Sequence, residues 1–92
     1  MLLDSSAIVA VVLREPGWEM LHDQIDNADV IAISTATLLE THLVLTNRIG
    51  SDALPILDAF TRETEAQMIP FSEAHWRRTA MFVTAKGGIP PL

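Results

Sequence analysis

Three short apolar runs, at residues 1–4, 30–33 and 67–71, are separated by stretches with helical periodicity, and this alternation narrows the fold more than any other feature of the chain. Strands joined by helices are linked through crossovers, which makes them parallel neighbours in one sheet. The second run, Val30-Ile31-Ala32-Ile33, is apolar at every position, as expected of a strand covered by helices on both faces. The expected fold class is α/β, a three-layer parallel sheet with helices on both sides, in a single domain over residues 1–92.

Local punctuation places the helices. Ser5-Ser6 supplies N-cap hydroxyls for a helix over 7–14, which breaks at Glu15-Pro16-Gly17. Periodicity resumes over 18–27, with Met20, Leu21 and Ile25 inward and Glu19, His22, Asp23 and Asp26 outward. Ser34-Thr35 caps a helix over 36–49, and Gly50 ends it as the residue past the cap. Ser51-Asp52 opens a helix running to residue 66, with Pro55 in its first turn, where a missing N–H costs little. Ser72-Glu73 caps a last helix over 74–85, and 86–92 read as loop.

Charge and composition exclude some function classes. The chain has no cysteine, which rules out a disulfide framework and a thiolate metal site. Its longest apolar run, residues 7–13, falls far short of the roughly 20 residues a membrane span needs. The opening Met1-Leu2-Leu3-Asp4 lacks the basic region of a signal peptide, so a cytoplasmic protein with no membrane partner is expected. A net charge of −6 does not suit general polyanion binding, which depends on neutralising phosphates. If such a chain acts on RNA, bound cations and a few local arginines must offset its field. A hydrophobic fraction of 49% is high for 92 residues, and it suggests apolar surface meant for a partner or for a further piece of the fold.

In open α/β sheets, chemistry gathers outside the carboxyl ends of the strands. That rule directs attention to Asp4, at the end of the first strand, and to residues 34–40, just after the second. Asp4 can cap the following helix or project into the crevice as a ligand, with Ser6 close enough to bond its carboxylate or a metal-bound water. Glu40 can close a capping box in Thr37-Leu38-Leu39-Glu40, in the first turn of its helix, or stand beside Asp4. Two carboxylates held together repel unless a cation or a proton lies between them, and hard oxygen ligands suit Mg²⁺ or Mn²⁺.

Asp4-Ser5-Ser6-Ala7-Ile8-Val9-Ala10 resembles the opening strand and helix of PIN domains. Arg14-Glu15-Pro16-Gly17 is similar to the break that follows in the VapC toxins of that family. Ser34-Thr35-Ala36-Thr37-Leu38-Leu39-Glu40 resembles the segment carrying the second acidic residue. Pro70-Phe71-Ser72-Glu73-Ala74-His75 and the final Ala85-Lys86-Gly87-Gly88-Ile89-Pro90-Pro91-Leu92 follow in the family's order. No single motif is specific; the strength lies in their order and spacing along the whole chain.

The resemblance implies a Mg²⁺- or Mn²⁺-dependent endoribonuclease toxin of a toxin–antitoxin module. Asp4 and Glu40 would be its metal ligands, and Asp4, Glu40 and Ser6 its catalytic residues. RNA would be the substrate, a cognate antitoxin the protein partner, and a homodimer or higher oligomer the assembly. It also implies a sheet in the order 3-2-1-4-5, of which only strands 3-2-1 can be built here, and a third acid beyond Leu92. The expectation is thus a C-terminally incomplete domain with weak metal binding, impaired cleavage, and a first strand left at an edge that invites pairing. The alternative is a non-catalytic PIN remnant that oligomerises or binds antitoxin. An unrelated α/β domain whose two acids are only helix caps is a third reading.

Other residues carry plainer expectations. His22, His42 and His75 share no ligand spacing and read as surface or supporting groups. Trp18 and Trp76 read as core anchors, Met20, Met68 and Met81 as core filling. Arg77-Arg78 reads as a solvated face, and Asp52, Asp58, Glu63 and Glu65 as ordinary helix charges.

Overall fold

Asp4 ends the first extended segment and caps the helix that follows it. Its backbone is extended (φ −95°, ψ 172°), and its side chain accepts from the Ala7 amide at the head of α1, Ser5–Val12. The cap is therefore Asp4, not Ser5-Ser6, and both serines lie in the first turn. The computed structural model describes residues 1–70. The expected helix over 74–85, the loop 86–92, Phe71 of the third run, and His75, Trp76, Arg77-Arg78 and Met81 lie outside the described residues.

After α1 the chain forms α2, Trp18–Asn27, then β1, Ala32–Ser34, α3, Thr35–Ile49, α4, Leu54–Glu63, and β2, Gln67–Ile69. β1 and β2 are parallel, with Ala32 opposite Gln67 and Ser34 opposite Ile69. The first segment joins through one parallel bridge, Leu2 to Ala32, so it is shorter as a strand than the run 1–4 suggests. Leu3 N–H donates to Ala32 O at 3.0 Å and Ala32 N–H to Met1 O at 2.9 Å, while Gln67 N–H donates to Ile31 O at 2.8 Å. Residues 31 and 32 point their polar groups to opposite edges, so the β1 segment lies between the other two. That arrangement matches the expected 3-2-1 order.

The core is Leu3, Ile8, Val9, Ile25, Ile31, Ile33, Leu45, Ala53 and Leu57. Ile31 and Ile33 share the buried face of the strand, by its two-residue alternation. Val30, on the other face, is 47% exposed, so an all-apolar run did not imply equal cover on both sides. Met20 and Met68 are exposed at 70% and 42%, which corrects their reading as core filling. Trp18 is also no core anchor: it is half-buried, with the Arg14 guanidinium 5.1 Å above its ring and His22 edge-on to it.

Two helices stop where a left-handed residue turns the chain. α1 ends before Arg14 (φ +53°), with Arg14 N–H donating to Val11 O and Glu15 N–H to Ala10 O. α4 ends before Glu65 (φ +52°) in the same way, with Glu65 N–H donating to Arg62 O and Ala66 N–H to Thr61 O. These are Schellman motifs in which glycine is the favoured turning residue. The α4 motif is why the helix closes at Glu63 rather than at residue 66. Holding a side chain in this region costs about 1–2 kcal/mol. Glu65→Gly is therefore expected to stabilise the chain by about 0.5–1 kcal/mol, net of the freer unfolded glycine. A rise in the urea midpoint at constant slope would report it.

α3 and the head of α4 are joined by a polar lock. His42 Nε2 lies 2.9 Å from Asp52 Oδ1, and the same oxygen accepts from Leu54 N–H at 3.0 Å, at the head of α4. Asp52 is thus more than an ordinary helix charge. The His42 hydrogen bond, and then the Leu54 amide, hold its carboxyl below its usual pKa. A depressed acid contributes stability that is complete above its unfolded pKa and is lost as pH falls through the folded one. Asp52→Asn is therefore expected to flatten the loss of melting temperature below about pH 4, with the difference from wild type vanishing in stronger acid.

Candidate metal centre

The parallel register puts the carboxyl ends of the first segment and of β1 side by side, and each end is immediately a helix cap. Ser34 (φ −74°, ψ 151°) caps α3 by accepting from Thr37 N–H at 3.0 Å, and its own hydroxyl donates to Thr37 Oγ1 at 2.9 Å. With α3 starting at Thr35, Glu40 falls in its second turn. The capping-box reading of Thr37 and Glu40 is thereby corrected, because the cap is three residues earlier and Glu40 is released from it.

Glu40 turns to α1 instead. Its Oε1 accepts a hydrogen bond from Ser5 Oγ at 2.9 Å, across 35 residues of sequence. Asp4 Oδ1 accepts from Ala7 N–H at 2.8 Å and from Ser6 Oγ at 3.2 Å. The structure thus gathers Asp4, Ser5, Ser6 and Glu40 around the first turn of α1. Ser6 meets the Asp4 carboxylate as expected, and Ser5 is the member that sequence reasoning did not single out. No sequence signal marks it, because its partner lies on another helix.

Both acids are exposed. The head of α1 gives them partial electrostatic relief, since orphan amides and the helix dipole favour negative charge there by about 0.3–1 kcal/mol. Asp4 is therefore a cap whether or not it is also a ligand, and the two readings of it are compatible. Among the described residues, the bonds these carboxylates take fall on Oδ1 and Oε1, and Oδ2 and Oε2 accept none.

The candidate donors are the two carboxylates, which the Ser5 and Ser6 hydroxyls orient, and hard carboxylate oxygen fits Mg²⁺ or Mn²⁺ in type. It falls short in number: among the described residues no three His, Cys, Asp or Glu side chains converge as a metal site. Water would have to complete the shell, as Mg²⁺ readily accepts. A different acidic group, Asp26, Asp29, Glu63 and Glu65, lines a polar recess with Ile31 and Gln67, at the amino ends of the strands. His42 and Asp52 pair with each other, and His22 with Asp26 at 3.4 Å, so neither histidine joins Asp4 and Glu40.

Among the described residues no helix is long and apolar enough to cross a membrane. The sequence profile of the PIN domain matches residues 1–91. A curated relative, Ribonuclease VapC of Mycolicibacterium smegmatis, is 32% identical over 69 residues, covering 75% of this chain and 54% of its own length. The chain thus spans about half the length of the curated relative it matches.

Proposed function

This chain belongs to the PIN-domain family, and from that premise we propose that Asp4 and Glu40 hold a divalent cation, Mg²⁺ or Mn²⁺, for endoribonuclease chemistry of the VapC toxin kind. The observation that carries the reading is the Ser5 hydrogen bond, which brings the Glu40 carboxylate to the helix that Asp4 caps. A bound cation would lower the pKa of a coordinated water and offset charge on the attacked phosphate. Asp4 and Glu40 supply the negative charge that retains such an ion in an otherwise phosphate-repelling field, and Ser6 orients the Asp4 carboxylate. RNA is the proposed substrate, in the cytoplasm, under control of an antitoxin. With two carboxylates, the described residues support weak, water-rich binding and slow cleavage.

Cleavage of a mixed-sequence RNA in Mn²⁺, abolished by EDTA and by Glu40→Gln, is the expected result. Cleavage that persists unchanged in Glu40→Gln would reject the reading. A second reading, a module that binds a partner without cutting RNA, is favoured by Leu39 and Leu43. They lie four residues apart on α3 and are 61% and 60% exposed. That reading is selected if the cation binds and the RNA stays intact.

A further inference from the structure

We propose that Ser5 is a positioning residue of the cation site, fixing the Glu40 carboxylate beside Asp4 through its hydroxyl. The proposal rests on the reading of Asp4 and Glu40 as ligands and extends it to a residue that does not itself touch the ion.

Three observations carry it. A serine hydroxyl has one proton to donate, and Ser5 gives it to Glu40 Oε1 at 2.9 Å rather than to the backbone of its own helix. Glu40 is exposed on a flexible stem, and among the described residues Ser5 is the group that bonds its side chain. Such a side chain gives up rotamer freedom when fixed in one orientation, so a ligand already fixed binds more tightly. Finally, Ser5 is the chain neighbour of Asp4, whose Oδ1 is fixed by Ala7 N–H and Ser6 Oγ. The separation of the two carboxylates is therefore set by the backbone of residues 4 and 5 plus one hydrogen bond. Each acid spends one oxygen on its anchor and keeps the other, Oδ2 or Oε2, for a cation. Ser6 anchors the first carboxylate and Ser5 the second, so the adjacent serines divide the work between two ligands.

The rival explanation is structural: Ser5 could merely help tie α1 to α3. The two roles separate in the metal-free protein. Alanine is the best helix former and is well tolerated at the first helical position, so Ser5→Ala should fold, with an unchanged far-UV circular dichroism spectrum and metal-free melting temperature. Losing a hydrogen bond to a ligand typically weakens metal affinity 10- to 100-fold. For this exposed site we expect Ser5→Ala to raise the Mn²⁺ dissociation constant about tenfold, and Ser5→Thr, which keeps the hydroxyl, to stay within about twofold of wild type.

The measurement is Mn²⁺ binding to the 92-residue chain, read from the free-ion signal in electron paramagnetic resonance, for wild type, Ser5→Ala, Ser5→Thr and Asp4→Asn. Weaker binding in Ser5→Ala, restored in Ser5→Thr, establishes the positioning role. Wild-type affinity in Ser5→Ala while Asp4→Asn loses the ion overturns that role and leaves the cation site standing. Equal loss in the alanine and threonine variants, or a fall in metal-free melting temperature matching the loss of affinity, also overturns it. Absence of Mn²⁺ binding in the wild type overturns both the role and the reading beneath it.

Discussion

Asp4→Asn is expected to abolish the rise in melting temperature that Mn²⁺ gives the wild-type chain, while leaving the metal-free protein almost unchanged. The two halves have separate causes. Asparagine caps helices about as well as aspartate, so the bond from Ala7 N–H can be kept and metal-free stability should move by no more than about 0.5 kcal/mol. What the substitution removes is one of two negative charges. A neutral amide oxygen is a weaker partner for a hard dication, and loss of a direct ligand should exceed the 10- to 100-fold effect typical of supporting groups, so affinity should fall by at least about 100-fold. Asp4→Ala separates the two roles further: it should lose the Mn²⁺ response and also about 1 kcal/mol of metal-free stability, as cap removal does. An Asp4→Asn protein that still gained stability from Mn²⁺ would show that Asp4 is a cap and nothing more.

The largest expected loss of stability lies away from this site. Leu45 is fully buried on α3, within the cluster that includes Ile8, Ile33 and Leu57. Truncating a buried leucine to alanine costs about 2–5 kcal/mol, because the lost transfer energy is joined by the cost of the cavity left behind. At roughly 0.05–0.15 kcal/mol per residue, a 92-residue chain has only about 5–14 kcal/mol in total. At the middle of both ranges, Leu45→Ala should therefore remove about a third of the stability and lower the urea midpoint accordingly. Leu43→Ala is the internal control. It lies two residues away on the same helix but is 60% exposed, so its cost should stay within about 0.5 kcal/mol. Comparable losses at both positions would mean that the Leu39–Leu43 face is covered in solution.

The comparison of sequence with structure separates local from distant information. Gly50 at the end of α3 and Pro55 in the first turn of α4 act through their own backbone geometry, and both stand where the sequence puts them. The parallel pairing of the three extended segments likewise follows from strands joined by helical crossovers, whereas their 3-2-1 order is what the family resemblance implies. The left-handed turns at Arg14 and Glu65 were not legible, because their Schellman hydrogen bonds close on non-glycine residues, in a conformation that residue type argues against. Met20 and Met68 show that periodicity assigns a face without assigning its cover. Glu40 makes the same point at the site. Four letters matched a capping box, yet Ser34 was the better-placed cap, and the Glu40 partner, Ser5, lies 35 residues away on another helix. The family resemblance singled out the two acids, but only the fold accounts for how Ser5 links them.

A cation shared between Asp4 and Glu40, as proposed, can be located directly. Substoichiometric Mn²⁺ added to the ¹⁵N-labelled chain broadens amide resonances close to the bound ion. A shared site should centre the broadening on Ser5, Ser6, Ala7 and Glu40, and the broadening should disappear in Asp4→Asn and in Glu40→Gln. Broadening centred instead on Asp26, Asp29, Glu63 and Glu65, at the other end of the sheet, or spread evenly over all exposed acids, would contradict it.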